Sequence, residues 1–172
     1  TPPSVVITSN VAGSTTNSAF TATFTFSESV TGFALADITA SNASVSNVTA
    51  VSSSVYTATI TPANDGVVTL DIAAGVAQDS AGNSNTSAAQ FTTTYDATSP
   101  TVAISSTISG GVTNSAFVAT FTFSEDVTGF VTSDITASNA TVGTLSTISG
   151  SVYTATITPV SDGAVSINIP AN

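Results

Sequence analysis

The chain contains no Lys, Arg, His, Cys, Met or Trp, and its ten charged side chains are all Asp or Glu. With no cationic side chain, each carboxylate must be met by water, a backbone N–H or a bound cation. Without Cys there is no disulfide, thioester or thiol nucleophile, and without Lys there is no Lys–Asn isopeptide staple. Ser and Thr lack the His or Lys that usually activates them. The net charge of −10 gives phosphates and anionic headgroups nothing basic to meet, so neither nucleic acid nor an anionic membrane surface is an expected partner. The longest apolar runs are a handful of residues, far short of the ~20 that span a bilayer, and no membrane insertion is expected. A carboxylate pair could still work as acid and base, as in glycosidases. Nothing else resembles a catalytic cleft, and the chain reads as non-enzymatic. Lacking an initiator Met and a signal peptide, it reads as an internal or processed piece, and its Ser/Thr-rich acidic composition fits an exported protein.

What is present is a repeat. Residues 1–75 align with 98–172 at a fixed offset of 97 without a gap, and 45 of the 75 pairs are identical. Two tandem modules follow, 1–97 and 98–172, each of immunoglobulin-sandwich size. The least similar segments, 46–51 and 143–148, are expected at an edge or in an exposed loop. The most telling stretch is FTATFTFSESVTGF at 20–33, nearly repeated as FVATFTFSEDVTGF at 117–130. Phe20, Ala22, Phe24 and Phe26 alternate with Thr21, Thr23, Thr25 and Ser27. A period of two with aromatic and β-branched residues predicts a central strand with one buried face and one hydroxyl-bearing face. The alternation stops at Glu28, where Val-Thr-Gly-Phe turns the chain over the core.

In order, the first module predicts strands at 5–8, 19–27, 37–40, 45–51, 55–61, 67–72 and 88–95, with turns at Ala12-Gly13-Ser14 and Asn64-Asp65-Gly66. In the fifth, Tyr56, Ala58 and Ile60 point inward. The last should insert Ala89, Phe91 and Tyr95. Seven strands put the two chain ends at opposite poles. The short junction 95–100, stiffened by Pro100, predicts a rod of modules.

Taken together, FSE-x-VTGF, D-I-T, Y-T-A-T-I-T-P, the D-G turn and D-S-A-G-N resemble bacterial Ig-like repeats. Such repeats occur in long tandem arrays of secreted and surface-anchored adhesins. The resemblance implies an all-β chain of two tandem immunoglobulin-like β-sandwiches, used as spacer or presenting modules, often with calcium near the module junctions. The second copy departs from the pattern by stopping before a D-S-A-G-N loop and a last strand.

Several acids suggest a cation. The corner and the loop before the last strand should place Glu28, Asp37, Asp79 and Asn83 near one another. In the second module Glu125, Asp126 and Asp134 should lie beside Asp96. Oxygen ligands without a cation of their own suit Ca2+. The competing reading has Asp37 and Asp134 capping local turns and the rest solvated. Thr21, Thr23 and Thr25 beside Thr57, Thr59 and Thr61 could form a water-ordering array. Strand twist of about 20° spoils a flat lattice, which favours ordinary cross-strand Thr pairs. Asn42, Asn47, Asn85 and Asn139 sit in N-x-S/T sequons and suit surface glycosylation or turn positions.

The reading is a structural spacer of a long extracellular repeat protein, with neighbouring modules as its partners. One alternative is glycan or protein recognition by loops 46–53 and 143–151, which lack the aromatic platform that sugar binding usually needs. Another is self-association into fibres or a surface layer. The second module should leave the strand near 164–169 unpaired, as in a slice of a longer chain or an acceptor of a strand from another chain. Composition also makes a direct prediction. Trypsin has no site here, so the chain should stay at 16.9 kDa after trypsin treatment even when heat-denatured, as mass spectrometry will show.

Overall fold

The computed structural model describes residues 1–108, 111 and 113–171. They form two compact units, Thr1–Thr98 and Ser99–Asn172. Strands dominate both, and helix is limited to two short 3-10 turns, Leu35–Asp37 and Thr132–Asp134.

The first unit is a sandwich of two four-stranded sheets. One contains β1 (Val5–Thr8), β3 (Phe20–Phe26), β6 (Val55–Pro62) and β5 (Ala43–Ala50), in the order β1-β3-β6-β5. The other contains β2 (Thr15–Thr16), β8 (Phe91–Tyr95), β7 (Gly66–Ile72) and β4 (Ile38–Ser41), in the order β2-β8-β7-β4. The strand read as the organising one is thus central, between β1 and β6, and Phe20, Ala22, Phe24 and Phe26 are all buried. Ala58 and Ile60 of β6 join them from the same sheet. Ile38, Val68, Leu70, Ile72 and Phe91 meet them from the other, forming one continuous core. Phe20 and Phe91 close the gap between the sheets, with ring centroids 5.9 Å apart.

The corner after β3 is held by its own aromatic ring. Gly32 takes φ +91° and Gly129, its counterpart, φ +80°, a left-handed geometry that L side chains resist. This bend drops Phe33 back onto the core. There it stacks against Phe24, Phe26 and Tyr56 at centroid distances of 5.6, 5.2 and 5.1 Å. The Tyr56 hydroxyl donates to Val30 O at 3.3 Å, tying the corner to β6. Module two repeats the device: Phe130 lies 5.7, 5.0 and 5.2 Å from Phe121, Phe123 and Tyr153. The Tyr153 hydroxyl donates to Val127 O at 3.1 Å.

The outer face of the first sheet carries the predicted hydroxyls in register. Thr21 pairs across from Thr59 and Thr23 from Thr57, and Thr23 also faces Thr8. These are cross-strand pairs of the stabilising kind, each a few tenths of a kcal/mol to about 1 kcal/mol.

Three departures from the sequence expectations stand out. The chain from Ala12 to Ser14 does turn, but it continues into β2, which lies parallel to β8 with Thr15 opposite Thr94 and Thr16 opposite Tyr95. The first unit therefore has eight strands. Second, Ala89 is exposed, because the last strand begins only at Phe91. The inward position after Phe91 belongs to Thr93, which is buried. Its hydroxyl lies 2.7 Å from Val11 O and 2.8 Å from Ser14 O, so it serves the turn that leads into β2. Third, the divergent segment 46–51 does lie at an edge, in β5, but as a bulged strand. Its pairing with β6 shifts between Ser46 and Thr49.

The second unit keeps the first sheet. β9 (Val102–Ser106), β10 (Phe117–Phe123) and β14 (Val152–Pro159) follow in order, with β12 (Ala140–Val142) beyond β14. A two-residue β13 (Ser146–Thr147) also pairs with β14. The divergent segment here splits one edge strand into two pieces. The opposite sheet consists of β11 (Thr136–Ser138) and β15 (Ser166–Asn168).

The ring stack at the corner predicts a graded mutational response. Phe33→Ala should cost module one about 3–5 kcal/mol, as for other buried Phe truncations. Tyr56→Phe, which removes one hydroxyl bond, should cost about 1 kcal/mol. Urea unfolding followed by circular dichroism checks both, and equal losses would contradict the ring stack as the main restraint.

Candidate functional site

The acids proposed for a cation lie on loops whose backbone they already serve. Asp37 ends the first 3-10 turn. Its N–H donates to Ala34 O at 3.1 Å, and its Oδ2 accepts from Ala34 N at 2.8 Å. Asp134 repeats this with Val131, at 3.0 Å and 2.9 Å. These two are local caps.

Asp79 and Asn83 do come together, as a closed loop. Asp79 Oδ1 accepts from Ala81 N and Asn83 N, both at 2.8 Å, and Oδ2 accepts from Asn83 Nδ2 at 2.8 Å. Gly82, at φ +83°, lets the chain curl round the carboxylate. The loop is pinned to the corner by paired backbone bonds between Thr31 and Gln78. The Asn83 side-chain amide is the largest influence holding the Asp79 carboxyl below its ordinary 3.8. The Asn83 backbone N–H adds to this, and burial opposes it.

Glu28 is exposed at the end of β3, Glu125 is half-buried and Asp126 is exposed. Asp126 lies over Gly150, where an added β-carbon would come within 2.5 Å of its Cγ. In module one the same two positions are Ser29 and Ser53, whose hydroxyls share a hydrogen bond at 2.8 Å. A side chain at 150 would require that carboxylate to shift. Asp96 accepts from Thr98 N at 3.2 Å through Oδ1 and donates its own N–H to Thr16 O at 3.0 Å. Among the described residues no three Asp or Glu side chains gather into a group able to hold a metal.

Two residues outside the proposed cation set prove the most engaged. Asn85, read as a sequon, is buried. Its Oδ1 accepts from Val76 N and Ala77 N, and its Nδ2 donates to Ala73 O and Thr86 O, all at 2.8–2.9 Å. No glycan can reach that amide in the folded chain. The only hint in the sequence was the long stretch between β7 and β8, whose backbone groups must be satisfied from within. Asp65, in the β6–β7 turn, accepts from Ala97 N at 2.8 Å and from the Thr98 hydroxyl. It thereby fastens the segment that leaves β8. These two bonds, Thr98 first, lower its carboxyl below 3.8.

The other sequons serve turns. Asn42 and Asn139 sit at φ +57° and +56° where the chain crosses from one sheet to the other. Asn42 Nδ2 donates to Asn64 O at 2.7 Å, and Asn139 Nδ2 donates to Ser161 O at 2.9 Å. Asn47 occupies the β5 bulge at φ +52°.

Two facing sheets, a shared apolar core and polar residues spent on loop backbone define an immunoglobulin-like structural module. The sequence carries the signature of one such group at 1–95 and again at 96–172, and the chain belongs to the bacterial Ig-like domain family. No curated protein matches it. Among solved structures, InvD of Yersinia pseudotuberculosis is 22% identical at a TM-score of 0.40, covering 96% of this chain and 51% of its own. Invasin, a bacterial integrin-binding protein, is 14% identical at a TM-score of 0.47, with 95% and 36% covered. The adhesin InvE of Y. pseudotuberculosis is 16% identical at 0.34, with 96% and 57% covered. The chain thus spans between about a third and three fifths of these proteins.

Two measurements follow from the carboxylates. Asp65 and Asp79 have folded-state values below the unfolded one, so the folded form binds fewer protons. Their contribution to stability is complete above the unfolded value and fades as pH falls through the folded one. Module one should therefore lose melting temperature as pH drops below about 4, and Asp65→Asn with Asp79→Asn should flatten that slope. Calcium titration calorimetry should show no heat assignable to the Asp79 loop. A calcium-dependent heat abolished by Asp79→Asn would contradict its assignment as a backbone clamp.

Proposed function

We propose that the chain is a non-enzymatic spacer: two Ig-like modules of a longer, surface-exposed bacterial repeat protein of the adhesin type, which extend or present a function located elsewhere. The observation that carries this reading is where the polar side chains are spent. Asp37, Asp65, Asp79, Asn85, Thr93 and Asp134 all bind backbone groups of their own module. Such side chains stiffen loops and present no free donor to a substrate. Family membership in tandem supports an array, and the resemblance to adhesin repeats supports a location outside the cell. Among the described residues no helix is long and apolar enough to cross a membrane.

Recognition by the divergent loops has less behind it. Segment 46–51 lies mostly in a bulged edge strand, and no aromatic residue occurs in 46–53 or 143–151.

A replacement experiment separates the two roles. In the parent bacterium, deleting this pair should weaken attachment, and an unrelated Ig-like pair of equal length should restore it. If only the native pair restores attachment, the modules bind a ligand themselves and the spacer reading fails.

A further inference from the structure

The fold treats the four sequon asparagines differently. Asn85 is buried, and both hydrogens of its amide are used, on Ala73 O and Thr86 O. Asn42 is half-buried. Its Nδ2 donates to Asn64 O at 2.7 Å, its Oδ1 accepts from Asn64 N at 3.2 Å, and a β-carbon added to Gly66 would stand 3.9 Å from that nitrogen. Asn139 is also half-buried and is held in the same way by Ser161, with the added β-carbon of Gly163 at 3.4 Å. Asn47 alone of the four is exposed. The contact of its Nδ2 with the Thr59 hydroxyl is long, 3.4 Å, outside the usual range of an N–H···O bond.

The bulge in β5 puts Asn47 on the surface. Ser46 lies opposite Thr59 and Thr49 opposite Thr57, so Asn47 and Val48 together stand against Ala58. Alternation from Val45, which packs on the core, would send Asn47 inward. The extra residue resets the count. Val48 packs on the core instead, and Asn47, at φ +52°, is turned out. The hydroxyl of the sequon is folded back beside it, with Thr49 Oγ1 donating to Asn47 O at 3.2 Å. In module two the corresponding residues are Thr144 and Leu145. Leu145 packs on the core as Val48 does, but Thr144 has no amide to offer, so the site belongs to module one.

We propose that Asn47 is the acceptor of an N-linked glycan, transferred from a phosphate-activated sugar donor. In the transfer Nδ2 forms a bond to the anomeric carbon of the sugar. That carbon's bond to the donor's phosphate oxygen breaks, and the phosphate leaves with the electron pair. The amide gives up one proton to the transferase and keeps one N–H. Asn42 and Asn139 already spend the same nitrogen on a turn carbonyl, and modifying Asn85 would strip a bond from the loop it holds together. A sugar at Asn47 stands on β5, the outermost strand of its sheet. It blunts that edge against pairing with another chain, a task that Lys performs in other sheets and that this chain has no Lys to perform. The inference is independent of the spacer reading, since a glycan on β5 suits a spacer and a ligand-binding module alike.

The test uses the full chain purified from the bacterium that makes it, with electron-transfer fragmentation to locate any sugar. The expected result is a sugar mass on Asn47 and unmodified Asn42, Asn85 and Asn139. A ladder of single-sugar steps identifies a nucleotide-activated donor, and one fixed oligosaccharide mass identifies a lipid-linked donor; either supports the site. Thr49→Ala, which breaks the sequon and leaves Asn47 in its bulge, should remove the sugar completely, whereas Thr49→Ser should keep it. An unmodified Asn47, a sugar on any of the other three asparagines of the folded chain, or a sugar on Asn47 that survives Thr49→Ala would overturn the proposal.

Discussion

The constraint from which the rest of the structure follows is that every charged side chain here is an anion. In most folded chains an awkwardly placed carboxylate is met by an Arg or Lys, whose long side chain reaches from almost anywhere. Here the available donors are backbone N–H groups, amides and hydroxyls, which have little reach. An acid is useful only where the chain curls around it. Asp79 inside its five-residue loop, Asp37 and Asp134 at the 3-10 turns, and Asp65 beneath the outgoing strand are all of this kind. The same short-range economy governs the neutral residues: Asn85 satisfies four backbone groups of a long loop, and Thr93 holds the turn before β2. Loops that would otherwise be the mobile part of a sandwich become frames with their own internal bonding.

The strands were legible because their signal is periodic and local. Phe20 to Phe26 and Tyr56 to Ile60 alternate so regularly that burial could be assigned residue by residue. The hydroxyl face followed from the same count. The corner was legible as a turn, although nothing in Val-Thr-Gly-Phe announces that Phe33 returns to the core. What failed depends on partners distant in sequence. Thr15 and Thr16 form a strand only because β8 lies beside them nearly 80 residues later, and parallel pairing leaves no turn signature. Alternation counted back from Phe91 put Ala89 inside, but the chain joins the sheet only at Phe91. Thr93, not named among the inward residues, is buried, and its hydroxyl meets two carbonyls. The sequon at Asn85 misled for a nearer reason, since its amide satisfies backbone groups of its own loop from Ala73 to Thr86.

The acids were the least legible feature. Gathering them at one pole was a sound inference from loop order, and the backbone contact between Thr31 and Gln78 shows that the corner and the distant loop do meet. Proximity of loops is not convergence of carboxylates, however. Side-chain direction is set by the local turn, and the turns at Asp37, Asp79 and Asp134 hold their own acids.

The bulge in β5 has a consequence for a protein built of near-identical neighbours. Adjacent repeats that share 45 of 75 aligned residues are prone to exchange strands while they fold, because each offers the other a correct partner. An edge that runs straight would be the natural place for such an exchange. In module one that edge is interrupted at Asn47, held in a left-handed conformation. In module two it is broken into two short pieces, Ala140–Val142 and Ser146–Thr147. The two irregularities fall at equivalent positions but differ in sequence and in form, a bulge in one and a break in the other, so neither edge is a template for the other. The unbroken run of differences at 46–51 and 143–148 thus gives the two otherwise similar edges different shapes.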